Sequence, residues 1–115
     1  MQHQLPCYLH TLRKQWGLSQ PELAELLGIG ASALSRYERQ SRKPTAELIV
    51  AAEVVFGLCA KDIFPRFYHT IEQAVMRRAR AMYARLEANT DPAVYEKLRL
   101  LDTILEHTDR NGGAA

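Results

Sequence analysis

The sequence has 115 residues, 47% hydrophobic and 24% charged, with a formal net charge of +2. This length fits one domain or one domain with an appendage, and the globular composition excludes an intrinsically disordered chain. The small net charge excludes a polycationic tail.

Cys7 and Cys59 stand far apart and match no metal or redox spacing. Both are expected as small buried hydrophobes in a reducing compartment. His3, His10, His69 and His107 are scattered without ligand-like spacing, so no metal and no other cofactor is expected. The N-terminus lacks the basic-then-apolar pattern of a signal peptide. The longest near-apolar stretch, Leu48 to Ala60, contains Glu53 and falls short of the ~18 residues of a membrane span. The expectation is a soluble cytoplasmic protein without membrane association.

In chain order, Pro6 suits the first turn of a first helix that runs to about Trp16 and stops at Gly17. Ser19 caps a second helix and forms a capping box with Glu22, each side chain satisfying the other's free backbone donor. That helix ends at Leu27, where Gly28 supplies a left-handed turn. A third helix begins near Gly30 or Ala31 and runs to about Arg39. Gln40 to Pro44 is a polar loop, Thr45 caps a fourth helix ending near Gly57, and a short fifth covers about Ala60 to Phe64. No segment alternates with period two, so no strand is expected.

After Pro65 the character changes. Phe64, Tyr68, Ile71, Val75, Ala79, Met82 and Leu86 form one helical stripe that should stop around Asn89. Arg77, Arg78, Arg80 and Arg85 lie largely off it and read as a solvated face, with a phosphate-facing surface as the alternative. Asp91-Pro92 starts a last helix with Val94, Leu98, Leu101 and Leu105 on one face, and the tail from Asn111 is expected to be disordered. The reading is all-α, with a helical domain over 1–65, a two-helix extension over 66–110 and a tail over 111–115.

The second and third helices carry the functional pattern. Two helices meeting steeply through a short joint need a small residue where the backbones approach, and Ala24 provides it. They also need a positive-φ turn at Gly28 and apolar filling from Leu23, Leu27, Ile29 and Leu34. The third helix turns Leu34 and Tyr37 inward and can leave Ser32, Ser35, Arg36 and Arg39 outward, short enough for the ~12 Å major groove of DNA. Trp16 and Tyr37 read as core aromatics. Arg36, Arg39, Arg42 and Lys43 oppose one acid, Glu38, and make a local basic patch suited to phosphates.

Residues Leu12 to Phe64, from LRKQWGLSQPELAELLG through ASALSRYERQSRKP to KDIF, resemble the XRE family of helix-turn-helix domains, to which phage repressors and Cro belong. The resemblance covers roughly the first 65 residues and implies a compact five-helix domain. It implies that Gln20 bonds a DNA phosphate, helped by free backbone donors at the second helix's N-terminus. Ala31, Ser32 and Arg36 would meet base edges, with Ser35 beside them and Arg36 suited to guanine O6 and N7. Arg39, Arg42 and Lys43 would hold the DNA backbone. Arg13 and Glu38 match a pair that forms an internal salt bridge in this family. The sequence departs from the family pattern at Gly30, where Ser or Thr commonly caps the helix. It departs again at Ala31, where a long polar reader is common, and at Gln40, which replaces a frequent glycine.

The function expected is a sequence-specific transcriptional regulator, a repressor, that binds double-stranded DNA as a homodimer. The alternative is an antitoxin-type protein whose C-terminal helices hold a toxin partner while the helix-turn-helix autoregulates. No nucleophile–base arrangement, phosphate loop or metal cluster points to an enzyme.

Overall fold

A computed structural model describes residues 5–112, with side chains described for 5–106. Every regular element among the described residues is helical: α1 (Leu9–Gln15), α2 (Gln20–Leu27), α3 (Ala31–Glu38), α4 (Ala46–Phe56), α5 (Ala60–Ile63), α6 (Pro65–Leu86), a 3₁₀ turn (Pro92–Val94) and α7 (Tyr95–Gly112). Among the described residues no helix is long and apolar enough to cross a membrane.

The chain divides into two compact units between His69 and Thr70. The sequence pattern changes earlier, at Pro65, because α6 begins there. Phe67, in its first turn, still packs against the core of the first unit.

Local chemistry sets the helix ends of the first unit. Ser19 Oγ accepts from the Glu22 amide at 3.2 Å, and Glu22 Oε1 accepts from the Ser19 amide at 2.8 Å, closing the capping box. Gly28, at φ 74°, ends α2 in the left-handed conformation, and the chain re-enters α3 three residues later. Thr45 Oγ1 caps α4 through the Leu48 amide at 3.1 Å. Gly30 caps α3 without a side-chain bond.

Leu9, Leu23, Leu34, Leu48 and Ile63 are fully buried in one core with Ala24, Leu27, Tyr37, Ala52 and Phe64. Ala24 and Ala52, at 3% and 0% exposure, have only a methyl where helices approach closely.

Four expectations need correction in this unit. Pro6 precedes α1 rather than opening it. The Tyr8 amide donates to the Ile63 carbonyl at 2.8 Å, and this tertiary bond ties the chain to the end of α5 just before α1 starts at Leu9. Trp16 is 66% exposed rather than core. It is the C-cap of α1, with its amide still on the Leu12 carbonyl at 3.1 Å, and helical spacing alone does not show whether a neighbour covers the end of a helix. Cys59 is exposed as the N-cap of α5, and Cys7 is only half-buried. Burial nevertheless raises the Cys7 thiol above its usual range, against a backbone hydrogen bond that lowers it.

The second unit departs from the single stripe read along α6. Met76 and Ala79 are buried, while Ile71, Val75 and Met82 are exposed at 48%, 40% and 39%. The apolar sector of α6 is wider than one line, and only one side of it is covered. α6 ends at Leu86, before Asn89. The segment after it opens as a 3₁₀ turn capped by Asp91 Oδ1 on the Ala93 amide at 3.0 Å, and only then becomes α7. Val94 and Leu101 are buried there. The backbone of Asn111 and Gly112 is still helical where a tail was expected, since extending a nucleated helix is inexpensive. Residues 113–115 lie outside the described residues.

Gln40 has φ 62° at the end of α3, where the amides of Gln40 and Ser41 close back on the carbonyls of Tyr37 and Arg36. A side chain in this conformation costs ~1–2 kcal/mol that glycine avoids, partly offset by glycine's greater freedom when unfolded. Gln40→Gly should therefore raise stability by about 0.5–1 kcal/mol, read as a higher urea midpoint at constant m-value. A lower midpoint would show that the Gln40 side chain makes compensating contacts.

Candidate nucleic-acid interface

The site is organised from beneath by one ion pair. Arg13, on α1, is 6% exposed. It donates from Nε to Glu38 Oε2 at 2.8 Å and from Nη2 to Oε1 at 3.2 Å, and its Nη1 donates to the Leu18 carbonyl at 3.1 Å. Glu38 is the last residue of α3, and its side chain is 4% exposed. Paired, planar and multiply bonded, the charges offset much of the cost of leaving water. The pair joins α1 to α3 and assigns the one acid of the basic segment to the interior.

Two more groups reach the same carboxylate. Gln20 Nε2 donates to Glu38 Oε1 at 3.0 Å from the first residue of α2, and His10 Nδ1 lies 3.5 Å from that oxygen and 3.1 Å from Arg13 Nη2. Burial by itself would raise the Glu38 carboxyl. The hydrogen bonds from Arg13 and Gln20, with the Arg13 charge and His10 behind them, outweigh it and hold the group below its ordinary value.

Gln20, the phosphate ligand that the family resemblance implies, has an amide with two N–H donors. One is spent on Glu38, which fixes the plane of the amide and leaves the second. The backbone contributes less than expected at this helix end. The capping box occupies the Ser19 and Glu22 amides, and Pro21 has none, so only the Gln20 amide remains in that turn.

On α3, Ala31, Ser32 and Arg36 are exposed, and Ser35 is half-buried. Leu34 and Tyr37 are buried on the opposite side at 0% and 5% exposure. Ser32 and Arg36 are one turn apart and share a face, with Ser35 beside them. The outer surface of α3 thus has two hydroxyls, one guanidinium and a methyl.

Past α3 the basic side chains separate in geometry. Arg39 folds back and donates from Nε to the Ser35 carbonyl at 3.3 Å. The Arg42 guanidinium carbon lies 5.4 Å from the centre of the Tyr37 ring, a cation–π distance that steadies a long side chain on a surface loop. Lys43 is exposed. Neither the Gln20–Glu38 bond nor the Arg42–Tyr37 stack was visible in the sequence. The first spans 18 residues and the second crosses an irregular loop, so no periodicity announces either.

Residues 9–63 match the helix-turn-helix family model. No curated protein and no solved structure matches the chain.

Replacing Glu38 with Gln leaves Arg13 charged, buried and without a counter-ion, which should cost about 3 kcal/mol in urea unfolding. The acid limb follows from the same pair. The folded carboxyl titrates below its ordinary value of 4.5. The stability it contributes is therefore present above that value and is lost as pH falls through the depressed pKa. The wild-type melting temperature should drop on acidification below about pH 4.5, and the Glu38→Gln protein should show a shallower drop. Parallel declines would assign the acid sensitivity to other carboxylates.

Proposed function

We propose, from the premise that this chain belongs to the XRE family of helix-turn-helix DNA-binding proteins, that it is a sequence-specific repressor. On this reading it lays α3 in the major groove and binds as a homodimer. The observation that carries the reading is the division of α3 into two sides. Leu34 and Tyr37 are buried beneath it, while Ser32 and Arg36 share an exposed face without a large apolar side chain between them. A helix anchored from below can present that face to base edges without rearranging.

In this arrangement Arg36 is the principal reader, because its forked donors fit guanine O6 and N7 together. Ser32 and Ser35 add short hydroxyl contacts, and Ala31 offers a methyl to thymine. Gln20, already oriented by Glu38, offers its remaining N–H to a phosphate, and Arg39, Arg42 and Lys43 contact the backbone on the other side of α3. A single eight-residue helix with so few base-directed donors supports the homodimer, since two half-sites ~34 Å apart multiply a modest readout. A protein this small acts on transcription most simply by occupying its site, and that favours repression.

A second reading, in which the C-terminal unit holds a protein partner while the helix-turn-helix autoregulates, is favoured by one observation. Ile71, Val75 and Met82 remain exposed along α6.

Binding sites selected from a random DNA library provide the test. Arg36→Ala should cost ~1–3 kcal/mol on the selected site and relax discrimination at one base step. Unchanged affinity would remove Arg36 as the reader. Lys43→Ala should weaken all sequences alike and reduce the salt slope by about one phosphate's worth. A loss limited to one sequence would contradict its phosphate role.

A further inference from the structure

The second unit contains a surface that the DNA-binding reading leaves unused. α6 has two adjacent lines of residues, each spaced 4, 3, 4 and 3 along the sequence, the period of a helix-packing seam. One line, Glu72, Met76, Ala79, Tyr83 and Leu86, is buried or half-buried throughout. The other, one residue earlier at its start, is Ile71, Val75, Arg78, Met82 and Arg85, and every member is exposed. The open seam is apolar at three layers and cationic at two, and spans about 21 Å of helix.

We infer that this open seam is a docking surface for an acidic amphipathic helix of another protein, one that presents apolar side chains to Ile71, Val75 and Met82 and carboxylates to Arg78 and Arg85. The charge pattern selects this occupant. Among the described residues neither Arg78 nor Arg85 has an acidic partner, and the seam holds no carboxylate. A second copy laid seam to seam would bring more guanidinium groups and no acid to the same stripe, a like-charge arrangement that association disfavours. A DNA phosphate backbone would satisfy the arginines and leave three apolar side chains against a polar surface. An acidic amphipathic helix satisfies both: the apolar layers lose water, and the arginine stems pack while their heads bond carboxylates. This deepens the partner-binding reading above, on which it rests, and is independent of whether α3 binds DNA.

The experiment is a display selection on the full chain. The library consists of amphipathic helical peptides with apolar residues at three seam layers and free choice of Asp, Glu, Lys, Arg, Gln or Ala at the two layers facing the arginines. The expected result is enrichment of Asp and Glu at those layers. Synthetic versions should lose about tenfold in affinity when the acids are changed to Lys. The double variant Arg78→Glu/Arg85→Glu, both positions exposed, should reverse the preference while circular dichroism and operator binding stay unchanged.

The proposal is overturned by no enrichment, or by a selection that ignores charge reversal. It is likewise overturned if sedimentation shows a dimer that Met82→Glu dissociates, since the seam would then hold a second copy. A reduced salt slope of DNA binding in Arg78→Ala/Arg85→Ala, without peptide binding, would reassign the arginines to phosphate. Operator binding measured on the same samples separates failure of the seam from failure of the DNA-binding reading.

Discussion

The Arg13–Glu38 pair fixes how α3 is rotated about its own axis, and the exposed surface follows from that rotation. Glu38 must point inward to meet Arg13. A helix turns about 100° per residue, so Arg36, two positions earlier, is carried about 200° away and points outward. Ser32, one turn before Arg36, follows it. A buried ion pair is a poor source of net stability compared with apolar packing of the same volume, but it tolerates no rotation that would separate its charges. Leu34 and Tyr37 supply the burial, and the pair supplies the angle.

The same carboxylate sets the position of Gln20. The bond from Gln20 Nε2 to Glu38 Oε1 couples the first residue of α2 to the last of α3, so the two helices that would flank a DNA strand share one anchor with α1. A free glutamine on a helix N-terminus samples many rotamers and loses that freedom on binding. Gln20 has already lost it on folding. The stack of Arg42 on Tyr37 does the same for a loop arginine. Both devices place an ordering cost in folding that binding through these two groups would otherwise carry.

What could be read from the sequence was whatever neighbouring residues decide. Ser19 with Glu22, Gly28 and Thr45 are local instructions with a fixed chemical meaning, and both ends of α2 and the start of α4 fall where those residues place them. The buried side of the helix-turn-helix followed from spacing alone, since Leu23, Leu27, Leu34 and Tyr37 have no other face to occupy. Decisions taken by distant residues were not legible. The start of α1 depends on an amide–carbonyl bond from Tyr8 to Ile63, and the exposure of Trp16 at the end of α1 depends on what packs there and not on its own spacing. On α6 the apolar sector is broad enough to contain two seams, and periodicity cannot say which of them a neighbour covers. A single stripe drawn through it mixes buried Ala79 with exposed Ile71, Val75 and Met82.

That ambiguity bears on how the arginines of this chain divide. Counted together they are unremarkable, because the formal net charge is only +2. Their neighbours differ in kind. Arg36 and Arg39 stand among Ser32, Ser35, Gln40 and Ser41, and Arg42 lies over the Tyr37 ring beside Ser41 and Lys43, in largely polar surroundings that lose little on meeting a hydrated, uniformly anionic backbone. Arg78 and Arg85 alternate with Ile71, Val75 and Met82 on one exposed line. Phosphate recognition gains nothing from the Met82 side chain between two guanidinium groups or from Ile71 and Val75 ahead of them, whereas helix packing gains both apolar burial and register from that order. The apolar residues beside the charges, more than the charges themselves, separate a surface suited to nucleic acid from one suited to protein, and by that criterion the roles proposed for α3 with its following loop and for the open side of α6 call for different partners.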